Sequence, residues 1–229
     1  MSLIFTERDV LRDQVRFAEV FECLRAGGVI IYPSETVYSL GGALSSIKAT
    51  EKIFALKSRE ETRALLSIAY DLRQAESFCV FRFDLEYEFF KRFGDRGLTV
   101  LLDARPFVST RVRGGADTLG VRLASTDLAR EFTQRLAEPI SSTMANFANK
   151  LIPDIDEMIP RRMSDVPQQL IDQADYVIDG GDLPNHLPST VIRVEDENRI
   201  VLLREGVVKS DDIKREFNLE VEIPQIELS

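Results

Sequence analysis

The chain has 229 residues, 44% of them hydrophobic and 29% charged, with a formal net charge of −9 at pH 7. That is enough apolar material for one large core, and the acidic balance excludes a protein that coats nucleic acid over its whole surface. It leaves room for a local basic cleft, because net charge does not say where the field is focused.

Val10, Val15, Phe17, Val20, Phe21 and Leu24 recur at helical spacing, which predicts one helix over 8–26, closed by Gly27-Gly28. The apolar run Val29-Ile30-Ile31-Tyr32 reads as a strand buried on both faces, broken by Pro33-Ser34-Glu35-Thr36. Ser45 or Ser46 caps a helix through Leu56, and 64–70 is a strand. Asp71 caps a helix to Phe78 and Asp84 one to Phe93, and strands follow at 98–102 and 118–123. A helix runs from Ser125-Thr126-Asp127 to Ala137, and Pro139 to Thr143 is a strand. Pro167 opens a helix to Ala174, and 176–178 is a strand. A hairpin joins 190–194 to 199–203, and a short helix over 211–217 precedes a polar tail. Helices and strands alternate with hairpins between them, so the fold class is α/β (α+β): one twisted mixed sheet flanked by helices.

Several chemistries are excluded. There is no G-x-x-x-x-G-K-[ST] and no G-x-G-x-x-G after a strand. Cys23 and Cys79 stand far apart, without zinc spacing, and read as reduced core thiols. The lone histidine, His186, lies in a loop with no nucleophile pattern beside it, which argues against a histidine base or a triad. No apolar run approaches the roughly 20 residues of a membrane helix, and Met1 to Arg8 carry no leader pattern. A cytoplasmic location with no membrane partner is the expectation.

Polar clusters stand at the predicted strand ends, where open α/β sheets place ligands. Lys57-Ser58-Arg59 with Arg63 is the most basic. Either of Lys57 and Arg59 alone also suits a helix C-terminus, but three cations ahead of an apolar strand supply the ammonium and guanidinium forks that hold polyphosphate. Tyr32 to Tyr38 and Ile140 to Asn146 offer hydroxyls, a carboxylate and an amide, or ordinary polar turns. Pro188-Ser189-Thr190-Val191 opens a strand, and Arg204-Glu205-Gly206 closes one.

In this order the pieces resemble the YrdC-like family, the threonylcarbamoyl-AMP synthase family. Its pattern runs Y-P-T-E-T-x-Y-G-L-G, K-x-R-P with K-P-L, V-R-x-P, S-T-S-A-N, P-S-T-V and R-x-G. Here these stand at Tyr32 to Gly41, Lys57 to Leu65, Val121 to Ala124, Ser142 to Asn146, Pro188 to Val191 and Arg204 to Gly206. The resemblance implies a single YrdC-like domain over 1–229, its core at about 15–210, with a concave cationic cleft. It implies synthesis of threonylcarbamoyl-AMP and pyrophosphate from L-threonine, bicarbonate and ATP, for tRNA threonylcarbamoyladenosine modification. ATP would enter with Mg2+ as a substrate complex, with no permanently bound cofactor and no protein metal site. Residue by residue, Lys57 and Arg59 would be catalytic. Lys57, Arg59, Arg63, Thr118, Asn146 and Arg204 would hold ATP, and Ser34, Arg122, Ser142 and Ser189 would hold threonine. Transfer RNA and tRNA-modification proteins are the implied partners.

The chain also departs from the pattern. Glu60 and Ala64 replace prolines, Ser39 a glycine and Met144 a serine; Phe93 to Thr99 stand where W-P-G-P-L-T is usual, and Leu123-Ala124 follow Arg122. These departures leave a second reading open: a divergent relative that binds a nucleotide or double-stranded RNA without catalysis.

Overall fold

The computed structural model describes residues 3–58, 60, 62–147, 159–184 and 187–224. Arg59 and His186 lie outside the described residues. The strands are β1 (Leu3–Thr6), β2 (Ile30–Pro33), β3 (Tyr38–Gly41), β4 (Leu66–Ala69), β5 (Cys79–Val80), β6 (Leu98–Ala104), β7 (Thr118–Leu123), β8 (Ile140–Met144), β9 (Tyr176–Asp179), β10 (Thr190–Asp196), β11 (Arg199–Arg204) and β12 (Glu220–Glu222). The helices are α1 (Glu7–Arg12), α2 (Gln14–Arg25), α3 (Ile47–Lys57), α4 (Leu72–Phe78), α5 (Asp84–Phe93), α6 (Asp127–Leu136), α7 (Gln168–Gln173) and α8 (Ser210–Phe217).

Hydrogen bonding joins the strands in the order β1-β9-β2-β3-β8-β4-β7-β6-β10-β11-β12, with β5 paired to β6. Direction is mixed: β4 and β7 run parallel, whereas β4 and β8, and β6 and β7, run antiparallel. This is the mixed, helix-flanked sheet that the alternation of elements predicts.

Strand residues alternate between two apolar layers. Ile31, Leu40, Val100, Val121 and Ile192 pack with α3, α5, α7 and α8. Ile30, Tyr32, Ile68, Ile140 and Ala124 pack on the other face with α1, α2 and α6. The register continues that second face beyond its helices. Leu66 stands opposite Ser142 on β8, and Ile68 opposite Arg122 on β7. Thr99 pairs with Val191, and Val191 with Arg204. The helical cover thus gives way to a row of polar side chains on the same face.

Local chemistry explains where the structure and the pattern part. The predicted helix over 8–26 is two helices, because Asp13 leaves the helical region at φ −102°, ψ 108° and turns its carboxylate onto the N–H groups of Val15 and Arg16. A helix-compatible periodicity hides that cap. Asp84, the predicted cap, is instead the first residue of α5, and Glu86 caps the start of that helix, its Oε2 accepting the N–H groups of Arg82 and Phe83. Strands β1, β3, β5 and β12, two to four residues long, are not among the strands read from the sequence. None of the described helices is long and apolar enough to cross a membrane.

Gly97 leads into β6 at φ +77°, and a Cβ there would stand 2.6 Å from Val207 Cγ2 and 2.9 Å from Thr36 Cγ2. The Thr36 loop and the 206–208 turn therefore close on bare backbone. Gly97→Ala should lower the unfolding free energy by about 1–3 kcal/mol through backbone strain and crowding. Urea denaturation monitored by circular dichroism checks this, and an unchanged midpoint would contradict it.

Candidate functional site

The uncovered part of the sheet forms a cleft of about 230 Å³, lined by Thr36, Val37 and Ser39, by Arg63, Ala64 and Leu66, by Arg122, by Ser142, Thr143 and Met144, and by Pro188, Ser189, Val191 and Arg204. Six segments separate in sequence meet there. Antiparallel pairing of β8 with both β3 and β4 brings the Ser142 segment between the Tyr32 and Arg63 segments. The β10–β11 hairpin sets Val191 opposite Arg204.

Arg122 is the deepest charge in the cleft, with its side chain 4% exposed. Its Nε lies 3.0 Å from Glu35 Oε1, and its Nη1 donates to Thr36 Oγ1 at 3.1 Å. Those partners come from a turn that Ser34 builds. The Ser34 Oγ donates to the Val37 carbonyl at 2.7 Å and accepts the N–H groups of Thr36 and Val37. Such a hydroxyl-stabilised turn is a local alternative to the strand ladder, and it aims Glu35 and Thr36 at the sheet face. Tyr32 is fully buried nearby, and burial pushes its phenol up to about 12, the Arg122 charge acting the other way.

Lys57, the last residue of α3, is 1% exposed. Its ammonium donates to the Met144 carbonyl at 2.6 Å, to the Asn146 Oδ1 at 3.1 Å and to the Asn146 carbonyl. Lys57 thus ties the end of α3 to the turn after β8. Ser58 follows in the left-handed region at φ 47°, which ends the helix.

The hairpin side is equally ordered. Arg204 Nε donates to the Ser189 carbonyl at 3.0 Å and its Nη2 to Ser189 Oγ at 3.1 Å. Thr190 Oγ1 donates to the Val208 carbonyl and accepts from the N–H groups of Gly206 and Val208. The two late motifs are thus one hydrogen-bonded unit.

Of the residues singled out from sequence, Arg63, Arg122, Ser142, Ser189 and Arg204 line the cleft together. Ser34 shapes its rim from within the turn, and Lys57 and Asn146 brace its wall. Thr118 opens β7, four residues before Arg122, about 13 Å away along the strand. Thr36 and Thr99 carry more of the site than their sequence signal suggested. Thr99 is fully buried and donates to Ser189 Oγ at 2.9 Å. A hydroxyl in the otherwise apolar run Leu98 to Leu102 was the available sign.

A cleft on an α/β sheet with guanidinium groups on its floor and walls, hydroxyls between them and a backbone turn at each rim has the chemistry suited to an anion. The comparisons give the chain's family. Residues 22–206 match the Sua5/YciO/YrdC family model, described as telomere recombination, and the chain belongs to that family. It is 26% identical over 189 residues to a putative threonylcarbamoyl-AMP synthase of Methanocaldococcus jannaschii, covering 82% of this chain and 84% of that protein. It is 28% identical to the threonylcarbamoyl-AMP synthase of Bacillus subtilis, over 85% of this chain and 54% of that one. The structure of a Pyrococcus abyssi Sua5 variant superposes with a TM-score of 0.86 at 26% identity, covering 98% of this chain and 62% of that chain. This chain therefore spans little more than half the length of some relatives.

Glu35→Ala would leave the Arg122 guanidinium buried without its carboxylate, and removing one partner of a buried pair costs about 3–5 kcal/mol. Urea unfolding should show that loss, and Glu35→Ala/Arg122→Met should recover part of it. A double variant no more stable than Glu35→Ala would contradict the pairing.

Proposed function

We propose that this chain makes threonylcarbamoyl-AMP, joining L-threonine, bicarbonate and ATP with release of water, as the amine is carboxylated, and of pyrophosphate. The observation that carries the reading is the convergence of Arg122, Ser142 and Ser189 with Arg63 and Arg204 in one cleft, in a chain of this family. Arg122, Ser142 and Ser189 form the threonine side, with a guanidinium fork suited to a carboxylate. Arg63 and Arg204 face the phosphates, with Arg59 assigned to them by the family motif. Lys57 acts from behind, by fixing the Met144–Asn146 turn against which the nucleotide lies.

Threonine carboxylated on its amine is already an anion, so its carbamate oxygen attacks the α-phosphorus without a protein base. The bond from that phosphorus to the bridging oxygen breaks, and pyrophosphate leaves with its negative charge. The chain's work is to align the two reactants and to stabilise charge on the phosphates with preorganised donors. Mg2+ arrives with ATP as part of the substrate. The adenylate then serves tRNA modification, and the partners are tRNA and the proteins that modify it.

Met144 favours a second reading. It lines the cleft where the family motif has serine, replacing a hydroxyl with a thioether. A relative that binds nucleotide or double-stranded RNA without reaction would keep the cleft and lose turnover.

The protein incubated with ATP, Mg2+, bicarbonate and L-threonine should release pyrophosphate only when threonine and bicarbonate are both present. No threonine-dependent release at high enzyme concentration would overturn the synthase. The second reading instead predicts RNA affinity that falls steeply with salt.

A further inference from the structure

Ser189 accepts two hydrogen bonds on one hydroxyl oxygen. Thr99 Oγ1 donates to it at 2.9 Å and Arg204 Nη2 at 3.1 Å. A serine oxygen has two lone pairs and one proton, so both lone pairs are taken. Among the described residues no acceptor is bonded to its proton, and Ser189 lines the cleft. The proton therefore points to whatever occupies the cleft, on an oxygen polarised by an arginine.

Thr99 sits one strand away on β6, fully buried, with its backbone paired to Val191. Among the described residues its hydroxyl has one partner, Ser189 Oγ. The β-branched side chain has restricted χ1 freedom, so the donor direction is set by the strand. A threonine hydroxyl in a fully buried strand position is costly unless bonded, and here its one bond reaches a cleft residue.

We infer that Thr99 is a positioning residue: by donating to Ser189 Oγ it fixes the Ser189 hydroxyl as a donor aimed at an anionic oxygen of the substrate. This rests on the reading of Ser189 as part of the threonine side of the cleft. The ligand chemistry it recognises is a carboxylate or carbamate oxygen, an acceptor without a proton of its own. A serine free to rotate would serve acceptors and donors alike; one with both lone pairs occupied serves acceptors only.

Thr99→Val keeps the shape and β-branching and removes the donor, and Thr99→Ser restores it. In the pyrophosphate assay Thr99→Val should raise the threonine KM about three- to tenfold, the worth of one oriented hydrogen bond. The ATP KM should change less than twofold, and Thr99→Ser should return to wild type. In a Ser189→Ala background Thr99→Val should have no further effect, because Thr99 acts through that hydroxyl. Equal rises in both KM values, or an additive loss in the double variant, would reduce Thr99 to a packing residue and overturn the inference.

Titration calorimetry separates this from the synthase reading. If the wild type releases no pyrophosphate yet binds L-threonine, and Thr99→Val weakens that binding, the synthase falls and the role of Thr99 stands. Thr99→Val protein that binds L-threonine as the wild type does refutes the role. Wild-type protein that binds no threonine refutes both.

Discussion

A guanidinium buried on a sheet face is the constraint around which this cleft is arranged. Withdrawing Arg122 from water costs several kcal/mol unless a counter-charge and acceptors replace the solvent. Glu35 supplies the charge at 3.0 Å and Thr36 an acceptor at 3.1 Å. Both come from a loop that would splay without the Ser34 hydroxyl pinning its backbone. The loop in turn needs Gly97, whose missing side chain lets Thr36 and Val207 approach. One buried charge thus links β2, β3, β6 and β7.

The second organising element is a pair of braces on the cleft wall. Lys57 holds the turn after β8 from the helix side, and the Thr190 hydroxyl holds the turn after β11 from the strand side. Each gathers several backbone groups onto one side chain. The segments meant to contact ligand are fixed before any ligand arrives, which lowers the ordering cost of binding. Preorganised donors of this kind act through alignment and charge stabilisation.

Much of this was legible in the sequence, for identifiable reasons. The strand at 118–123 and the caps at Ser46 and Asp71 follow from local chemistry and match the structure. Ser142, Ser189 and Arg204 were found as polar residues at strand ends and Arg122 through the family resemblance, and sheet pairing brings them together. Lys57 shows the limit of such reading. In sequence it belongs to a cationic cluster; in space it turns inward to the carbonyls of Met144 and Asn146. Only the pairing of β8 reveals that those carbonyls stand beside the end of α3. Asp13, too, reads as one more exposed helix residue until its carboxylate is seen capping the next helix.

The most direct test of the account is the affinity of Arg122→Lys for L-threonine and for ATP, each measured by titration calorimetry. Lysine keeps the charge that Glu35 requires and loses the planar fork that a carboxylate requires. The account predicts a thermal midpoint near that of the wild type. It also predicts threonine binding weakened about tenfold or more, the worth of a charged hydrogen bond, with ATP affinity almost unchanged. Threonine affinity equal to that of the wild type, or a loss confined to ATP, would contradict it.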